Sequence, residues 1–98
     1  MNNQPYLICY DIRCPKRLVK VHKATSKVAT AVQYSVFYAE MRRPEVDSLI
    51  ASLSELIDHA VDDIRIYSVA SFDQAAIIGQ TPADRGIYAM ISRQKKAR

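Results

Sequence analysis

The stretch YLICYDIRCPKR, residues 6–17, joins an apolar run to a basic segment through a single acid. Residues 6–12 carry almost only apolar side chains, which is typical of a central strand that is covered on both faces or lies at an interface. Asp11 comes near the end of this run, and Pro15 fits the first position of a helix. The stretch therefore predicts a central strand that ends in a carboxylate, then a short loop and a helix.

The helix that is predicted to extend from Pro15 to about Ala29 has two different faces. Residues three and four apart lie on the same side of a helix. This spacing gives an apolar face made of Leu18, Val21, Thr25 and Val28. It also gives an opposite row of lysines, the lysine stripe, made of Lys16, Lys20, Lys23 and Lys27. Such a stripe is either a solvated surface or a contact for the phosphates of a nucleic acid. Arg42 and Arg43 could extend it.

The remaining elements complete an α+β pattern. A strand is predicted at 32–39, a helix with a regular apolar face begins at Pro44, and a strand follows at 63–69. Two short strands are predicted at 75–80 and 86–92. The order favours a ferredoxin-like β-α-β-β-α-β sandwich, which has an antiparallel sheet with two helices on one face.

This fold leaves one face of the sheet without helices. Residues 1–92 are predicted to form a single domain, and residues 93–98 a basic C-terminal tail. Tyr10, Phe37 and Tyr67 are candidates for the helix-free face. An apolar sheet face without a helix, in a chain of this size, predicts a homodimer.

The charge of the chain is unevenly distributed. The formal net charge is +4, but residues 1–43 contain eight basic and two acidic side chains, whereas residues 44–92 contain two basic and eight acidic ones. This separation predicts an anionic partner for one face. Cys9 and Cys14 do not have the spacing of a zinc or redox pair, and no apolar run is long enough for a signal or a membrane span. We therefore expect reduced cysteines, a cytoplasmic location and no membrane partner.

Asp11 has two possible roles. It could hydrogen-bond its own loop or cap the following helix. Alternatively, a two-fold axis beside the strand end would bring two copies of Asp11 together, and two carboxylates with water molecules would form a plausible Mg²⁺ site. The residues alone leave both roles open.

Three short strings, in their order along the chain, carry a resemblance to a known family. They are Tyr-Asp-Ile at 10–12 followed by Arg17, then Gln-x-Ser-Val-Phe at 33–37, and Arg-Ile-Tyr at 65–67. Together they resemble the Cas-two family of CRISPR-associated proteins, from the spacer-acquisition module. The resemblance implies a ferredoxin-like homodimer in which the C-terminal strands are exchanged between the subunits.

The resemblance also implies where the chemistry takes place. Asp11 of both subunits would hold one Mg²⁺ at the dimer axis, and Tyr10, Arg17 and Phe37 would surround this catalytic site. The charge pattern, independently of the resemblance, predicts that nucleic acid contacts the lysine stripe together with Arg17, Arg42 and Arg43. The implied partners are a second copy of the chain, the CRISPR integrase, double-stranded DNA and possible single-stranded RNA substrates.

Three kinds of function remain open at this stage. The first is a Mg²⁺-dependent endonuclease that acts on single-stranded RNA or double-stranded DNA. The second is a dimeric scaffold that holds DNA for the integrase, with or without a nuclease activity. The third is a toxin-like ribonuclease of the same fold, or a ferredoxin-like regulatory domain that binds a small ligand.

Overall fold

The computed structural model describes residues 3–70 together with Ala76 and Ile78. These residues form one four-stranded sheet in the order β2-β3-β1-β4, in which all neighbouring strands are antiparallel. The elements are β1 (Gln4–Asp11), α1 (Pro15–Ser26), β2 (Thr30–Gln33), β3 (Val36–Met41), α2 (Arg43–Leu56) and β4 (Asp63–Ser68). The predicted α+β, ferredoxin-like β-α-β-β-α-β fold is confirmed.

Strand β1 lies in the middle of the sheet, and its side chains alternate between two environments. Tyr6, Ile8 and Tyr10 are buried in the hydrophobic core, whereas Leu7 and Cys9 are only half-buried. Successive side chains of a strand point to opposite faces. The core also takes in Val21 from α1, Phe37, Ala39 and Met41 from β3, and Val46, Leu49 and Leu53 from α2. The two helices therefore cover one face of the sheet, and the other face is helix-free.

Local signals in the sequence mark the start of both helices. Pro15 is the first residue of α1, where the missing backbone N–H costs nothing. This helix ends at Ser26, three residues before the predicted end. Helix α2 starts beside a capping arrangement, in which the Glu45 carboxylate accepts a hydrogen bond of 2.8 Å from the Arg42 amide.

The single strand predicted at 32–39 is wrong. Strands β2 and β3 form a hairpin in this region, with Gln33 opposite Val36 and a turn at Tyr34 and Ser35. Ser35 has a φ of 63°, in the left-handed region that Gly and Asn normally occupy. The turn carries neither of these residues, so the β-branched and aromatic residues on both sides of it indicated one strand.

The predicted positions of the aromatic residues were partly wrong. Tyr10 and Phe37 lie in the core beneath the helices and not on the helix-free face. Residues 6–12 are almost continuously apolar. Their sequence therefore does not show which of the two alternating sets of side chains in β1 faces the helices. Tyr67 is exposed, as predicted, and pairs with Leu7, whose neighbours Tyr6 and Ile8 point toward the helices. Tyr67 therefore lies on the helix-free face.

Several predictions concern the C-terminal part of the chain. The strands at 75–80 and 86–92 and the basic tail at 93–98 lie outside the described residues, apart from Ala76 and Ile78. The strand exchange, the homodimer and the extent of the domain stay predictions. Cys9 and Cys14 form no disulfide. Within the described ranges, neither helix is long and apolar enough to cross a membrane.

Candidate functional site

Asp11 is the last residue of β1, and its side chain lies on the helix-free face of the sheet. The side chain is 68% exposed, and its only ion pair within residues 3–70 is a long contact of 3.8 Å with Arg13. The antiparallel register places Asp63, the first residue of β4, directly opposite Asp11. Residues paired in this way have their side chains on the same face of the sheet. Two carboxylates therefore lie side by side at this end of the helix-free face.

Asp63 is a neighbour of Asp11 that the sequence analysis missed. Its carboxylate also has an arginine partner, because the Arg65 Nε lies 3.1 Å from it. The two strand ends could have been recognised as partners, since one predicted strand has an acid near its end and the other begins with one. However, strand pairing and register were not predicted, and without them two acids 52 residues apart in sequence show no relationship.

The donor set at Asp11 suits a hard cation that prefers oxygen ligands. Two neighbouring carboxylates are appropriate ligands for Mg²⁺, which normally also keeps several water molecules. No group of three or more His, Cys, Asp or Glu side chains with metal-binding geometry occurs among the residues that the structure describes. If a metal ion binds here, the described part of one subunit would offer it Asp11 and Asp63, and the remaining ligands would be water or groups from a second copy.

Tyr10 and Phe37 are not brought together with Asp11. They lie on the opposite side of the sheet, because side chains alternate along β1. Their rings stack with centroids 5.9 Å apart, and the His22 ring meets Phe37 edge-on at 5.4 Å. The Tyr10 hydroxyl shares a hydrogen bond of 3.2 Å with His22 Nδ1, and burial raises the pKa of Tyr10. Both aromatic residues therefore pack in the core on the helix side of β1. They have no direct access to a group bound at Asp11.

Arg17 forms an ion pair with Asp62 of the same chain. Its Nε and Nη2 donate hydrogen bonds of 2.7 and 3.1 Å to the two carboxylate oxygens of Asp62, whose side chain is fully buried. The same carboxylate accepts hydrogen bonds from the backbone amides of Arg13 and Asp58 at 2.8 and 2.9 Å. The hydrogen bonds from Arg17 are the largest cause of the lowered pKa of Asp62, although burial opposes them. Arg17 therefore fixes the loop after β1 and does not extend toward Asp11.

The lysine stripe is exposed along its whole length. Within residues 3–70, every ion pair uses an arginine, and none of the stripe lysines has a carboxylate within 4 Å. Arg42 and Arg43, which were predicted to extend the stripe, are paired with Glu45 at 3.5 Å and Asp47 at 3.0 Å. The uncompensated positive charge of the described chain is therefore concentrated on α1 and on Lys27 just after it.

Comparisons with known proteins show the family and the fold of the chain. The family model described as CRISPR associated protein Cas2 matches residues 4–76. A protein of Thermodesulfovibrio yellowstonii named CRISPR-associated endoribonuclease Cas2 2 is 36% identical over 75 residues, which cover 76% of this chain and 82% of the relative.

Two solved structures are similar in fold. A hypothetical protein from Thermus thermophilus has a TM-score of 0.76 and 30% identity, with 82% of this chain and 95% of the other covered. Streptococcus pyogenes Cas2 has a TM-score of 0.70 and 28% identity, with 76% and 99% covered. The family match spans all six elements of the described fold. The chain therefore belongs to the CRISPR-associated Cas2 family, the Cas-two family indicated by its sequence strings.

Proposed function

We propose that this chain acts in CRISPR adaptation as a homodimer that binds nucleic acid, and that it carries a Mg²⁺-dependent endonuclease activity centred on Asp11. The observation that carries the proposal is the lysine stripe, whose positive charges have no acidic partners within the described residues. Because a phosphate backbone is a regular row of negative charges, it is a suitable partner for such a surface. The integrase of the same system is the proposed protein partner.

The proposed homodimer is supported by the helix-free face of the sheet. Leu7, Cys9 and Val36 are half-buried there, and Tyr67 is 47% exposed. A second copy that packed on this face would remove these apolar groups from water. It would also bring a second Asp11 and Asp63 toward the first pair, since both acids lie on the same face. The proposed metal site therefore depends on the proposed dimer.

The nuclease part of the proposal rests on the two acids. Mg²⁺ held by Asp11, with Asp63 beside it, would neutralise a phosphate and make a bound water more acidic. Arg13 and Arg65, which lie next to these acids, would attract the anionic substrate. The relative from T. yellowstonii is named an endoribonuclease, which supports cleavage of RNA as the activity to test first.

A scaffold without catalysis is the second candidate, and the position of Arg17 favours it. Stabilisation of a phosphate in its transition state needs a positive group that is free to approach it. Arg17 instead donates two hydrogen bonds to the buried Asp62. If no other cation replaces it, the protein would hold nucleic acid for the integrase and leave the chemistry to that partner.

The deciding experiment measures cleavage and binding with the same preparations. Labelled single-stranded RNA and double-stranded DNA are incubated with wild-type protein or Asp11→Asn, with Mg²⁺ or EDTA, and the dimer is checked by light scattering. We expect cleavage by the wild type with Mg²⁺ and a decrease of at least a hundredfold in the variant, while both remain dimeric and bind equally at low salt.

The other outcomes are also informative. Equal cleavage by wild type and Asp11→Asn would show that Asp11 is not the catalytic acid. Salt-sensitive duplex binding without cleavage would favour the scaffold. A monomeric wild-type protein would contradict the proposed shared metal site.

A further inference from the structure

A cavity of about 660 Å³ lies between α1 and the turn of the β2–β3 hairpin. It is on the opposite side of the sheet from Asp11, because Tyr10 forms part of its lining. Leu18 and Val19 form its apolar wall, and both are solvent-exposed. An open apolar cavity of this size, with a few polar groups, is typical of a small-molecule binding site.

Tyr34 is the most unusual residue at this cavity. It lies in the tight turn before β3, and it is 93% exposed although it is a large aromatic residue. Ser35 beside it adopts the left-handed conformation, and the Ser35 carbonyl accepts a hydrogen bond of 3.0 Å from the Tyr10 amide. The turn is therefore attached to the central strand, and it holds the Tyr34 ring at the mouth of the cavity without any packing role in the described fold.

The opposite rim of the cavity is basic. Lys23 and Lys27 of the lysine stripe contribute to its lining, and neither is paired with a described carboxylate. The hydrogen-bonded Tyr10 and His22 provide polar atoms in the lining. An occupant that combines a flat ring, which can stack on Tyr34, with a negative charge near the lysines would match this lining. A second copy of this chain that packed symmetrically, with α1 against α1, would bring its own lysines against these lysines, so it is a poor occupant.

We propose that this cavity binds one unpaired nucleotide of a single-stranded nucleic acid, with the base stacked on Tyr34 and the flanking phosphates near Lys23 and Lys27. Stacking on an exposed aromatic ring accepts any base, and it is a common way to hold single strands. A base inside a duplex is already stacked and paired, so it cannot enter. The inference rests on the proposed nucleic-acid function, which it extends with a second site that selects unpaired strands.

The test compares single-stranded and duplex affinity by fluorescence anisotropy at fixed salt. The probes are a 12-nucleotide uridine oligomer, a deoxythymidine oligomer of the same length, and a DNA duplex. We expect Tyr34→Ala to weaken single-strand binding about tenfold, as for the loss of one stacked base, and to leave duplex binding unchanged. Tyr34→Phe keeps the ring and should bind as the wild type does. A difference between the two oligomers would show whether RNA or DNA is preferred.

Lys20→Gln is the matched control for the charge, because Lys20 belongs to the stripe but does not line the cavity. It should weaken single-strand and duplex binding to the same extent, whereas Lys23→Gln should weaken single-strand binding more. Equal single-strand affinity of Tyr34→Ala and the wild type would overturn the proposed cavity site and leave the proposed function in place. Folding is not at risk in the tyrosine variants, because the side chain is almost fully exposed.

A crosslinking experiment tests the cavity site separately from the proposed nucleic-acid function. An oligomer that contains 5-iodouridine is irradiated with the protein, and the crosslinked residue is identified by mass spectrometry. We expect the crosslink at Tyr34. A crosslink only on the helix-free face would overturn the cavity site, whereas a wild-type protein that binds no oligomer and no duplex would overturn the proposed function and the cavity site together.

Discussion

Arg17 and Asp62 are joined by two hydrogen bonds, of 2.7 and 3.1 Å, between a guanidinium and a fully buried carboxylate. Arg17 lies in the first turns of α1, and Asp62 directly precedes β4. The pair therefore connects the two segments that carry Asp11 and Asp63, the two acids of the proposed metal site. Within the proposed site, Arg17 would thus be a positioning residue that acts through Asp62 and does not itself contact the metal.

We expect Arg17→Met to lower the midpoint of thermal unfolding by roughly 10 °C. The substitution leaves a buried carboxylate without its cation, which is much more costly than the loss of an exposed pair. Arg43→Met is the matched control, because the pair of Arg43 with Asp47 is 67% and 59% exposed and should contribute little. Differential scanning calorimetry checks both. Similar midpoints for the two variants would show that the buried pair is not a major stabilising contact.

The same pair predicts how stability depends on pH. The Arg17 hydrogen bonds, followed by those of the Arg13 and Asp58 amides, hold the pKa of Asp62 well below its usual range. A carboxyl whose pKa is depressed by folding contributes stability that is fully present above its unfolded pKa of about 3.9 and is lost as the pH falls toward its folded pKa. The difference in unfolding midpoint between wild type and Arg17→Met should therefore be constant above about pH 5 and decrease between about pH 4 and pH 2. A constant difference over that range would contradict the assignment.

The parts of the fold that depend on local signals could be predicted, and the parts that depend on pairing could not. The start of α1 at Pro15 and the fold class followed from helix signals and apolar spacing. The turn at Ser35 was missed, because an ordinary residue adopts a conformation that normally indicates Gly or Asn. Asp63 was missed for another reason. Its position opposite Asp11 is set by strand register, and register depends on contacts across the whole sheet.

The two cysteines should differ in reactivity toward iodoacetamide near neutral pH. Hydrogen bonds from the backbone amides of Arg17 and Lys16 lower the pKa of the Cys14 thiol, whereas burial raises the pKa of Cys9. The thiolate is the reactive form. We expect Cys14 to be alkylated faster than Cys9 at pH 7.5, as measured by peptide mass spectrometry over time. Equal rates in the folded protein would contradict the predicted difference, and equal rates in urea are the control.

Replacement of all four stripe lysines by glutamine should reduce duplex binding and its dependence on salt. Each phosphate contact contributes about 0.9 to the slope of log affinity against log salt concentration, so a loss of four contacts lowers the slope by about 3 to 4. The control is Arg42→Gln with Arg43→Gln, whose guanidiniums are already paired with Glu45 and Asp47. This double arginine variant should change the salt slope much less than the replacement of the four lysines does. Anisotropy titrations between 50 and 300 mM salt provide the measurement, and a similar slope for both variants would contradict the central role of α1.

Ser35→Gly should stabilise the protein by about 0.5–1 kcal/mol. The left-handed conformation costs a non-glycine residue about 1–2 kcal/mol, and the greater freedom of Gly in the unfolded chain cancels part of this gain. The backbone hydrogen bond from the Tyr10 amide to the residue 35 carbonyl does not need the serine side chain. Ser35→Val should have the opposite effect, because a β-branched residue is disfavoured at φ of 63°. Chemical denaturation measures both variants. If glycine destabilised the protein, the serine hydroxyl would have to make a contact that outweighs the backbone cost, and single-strand binding by Ser35→Gly and Ser35→Ala would then show whether that contact belongs to the Tyr34 cavity.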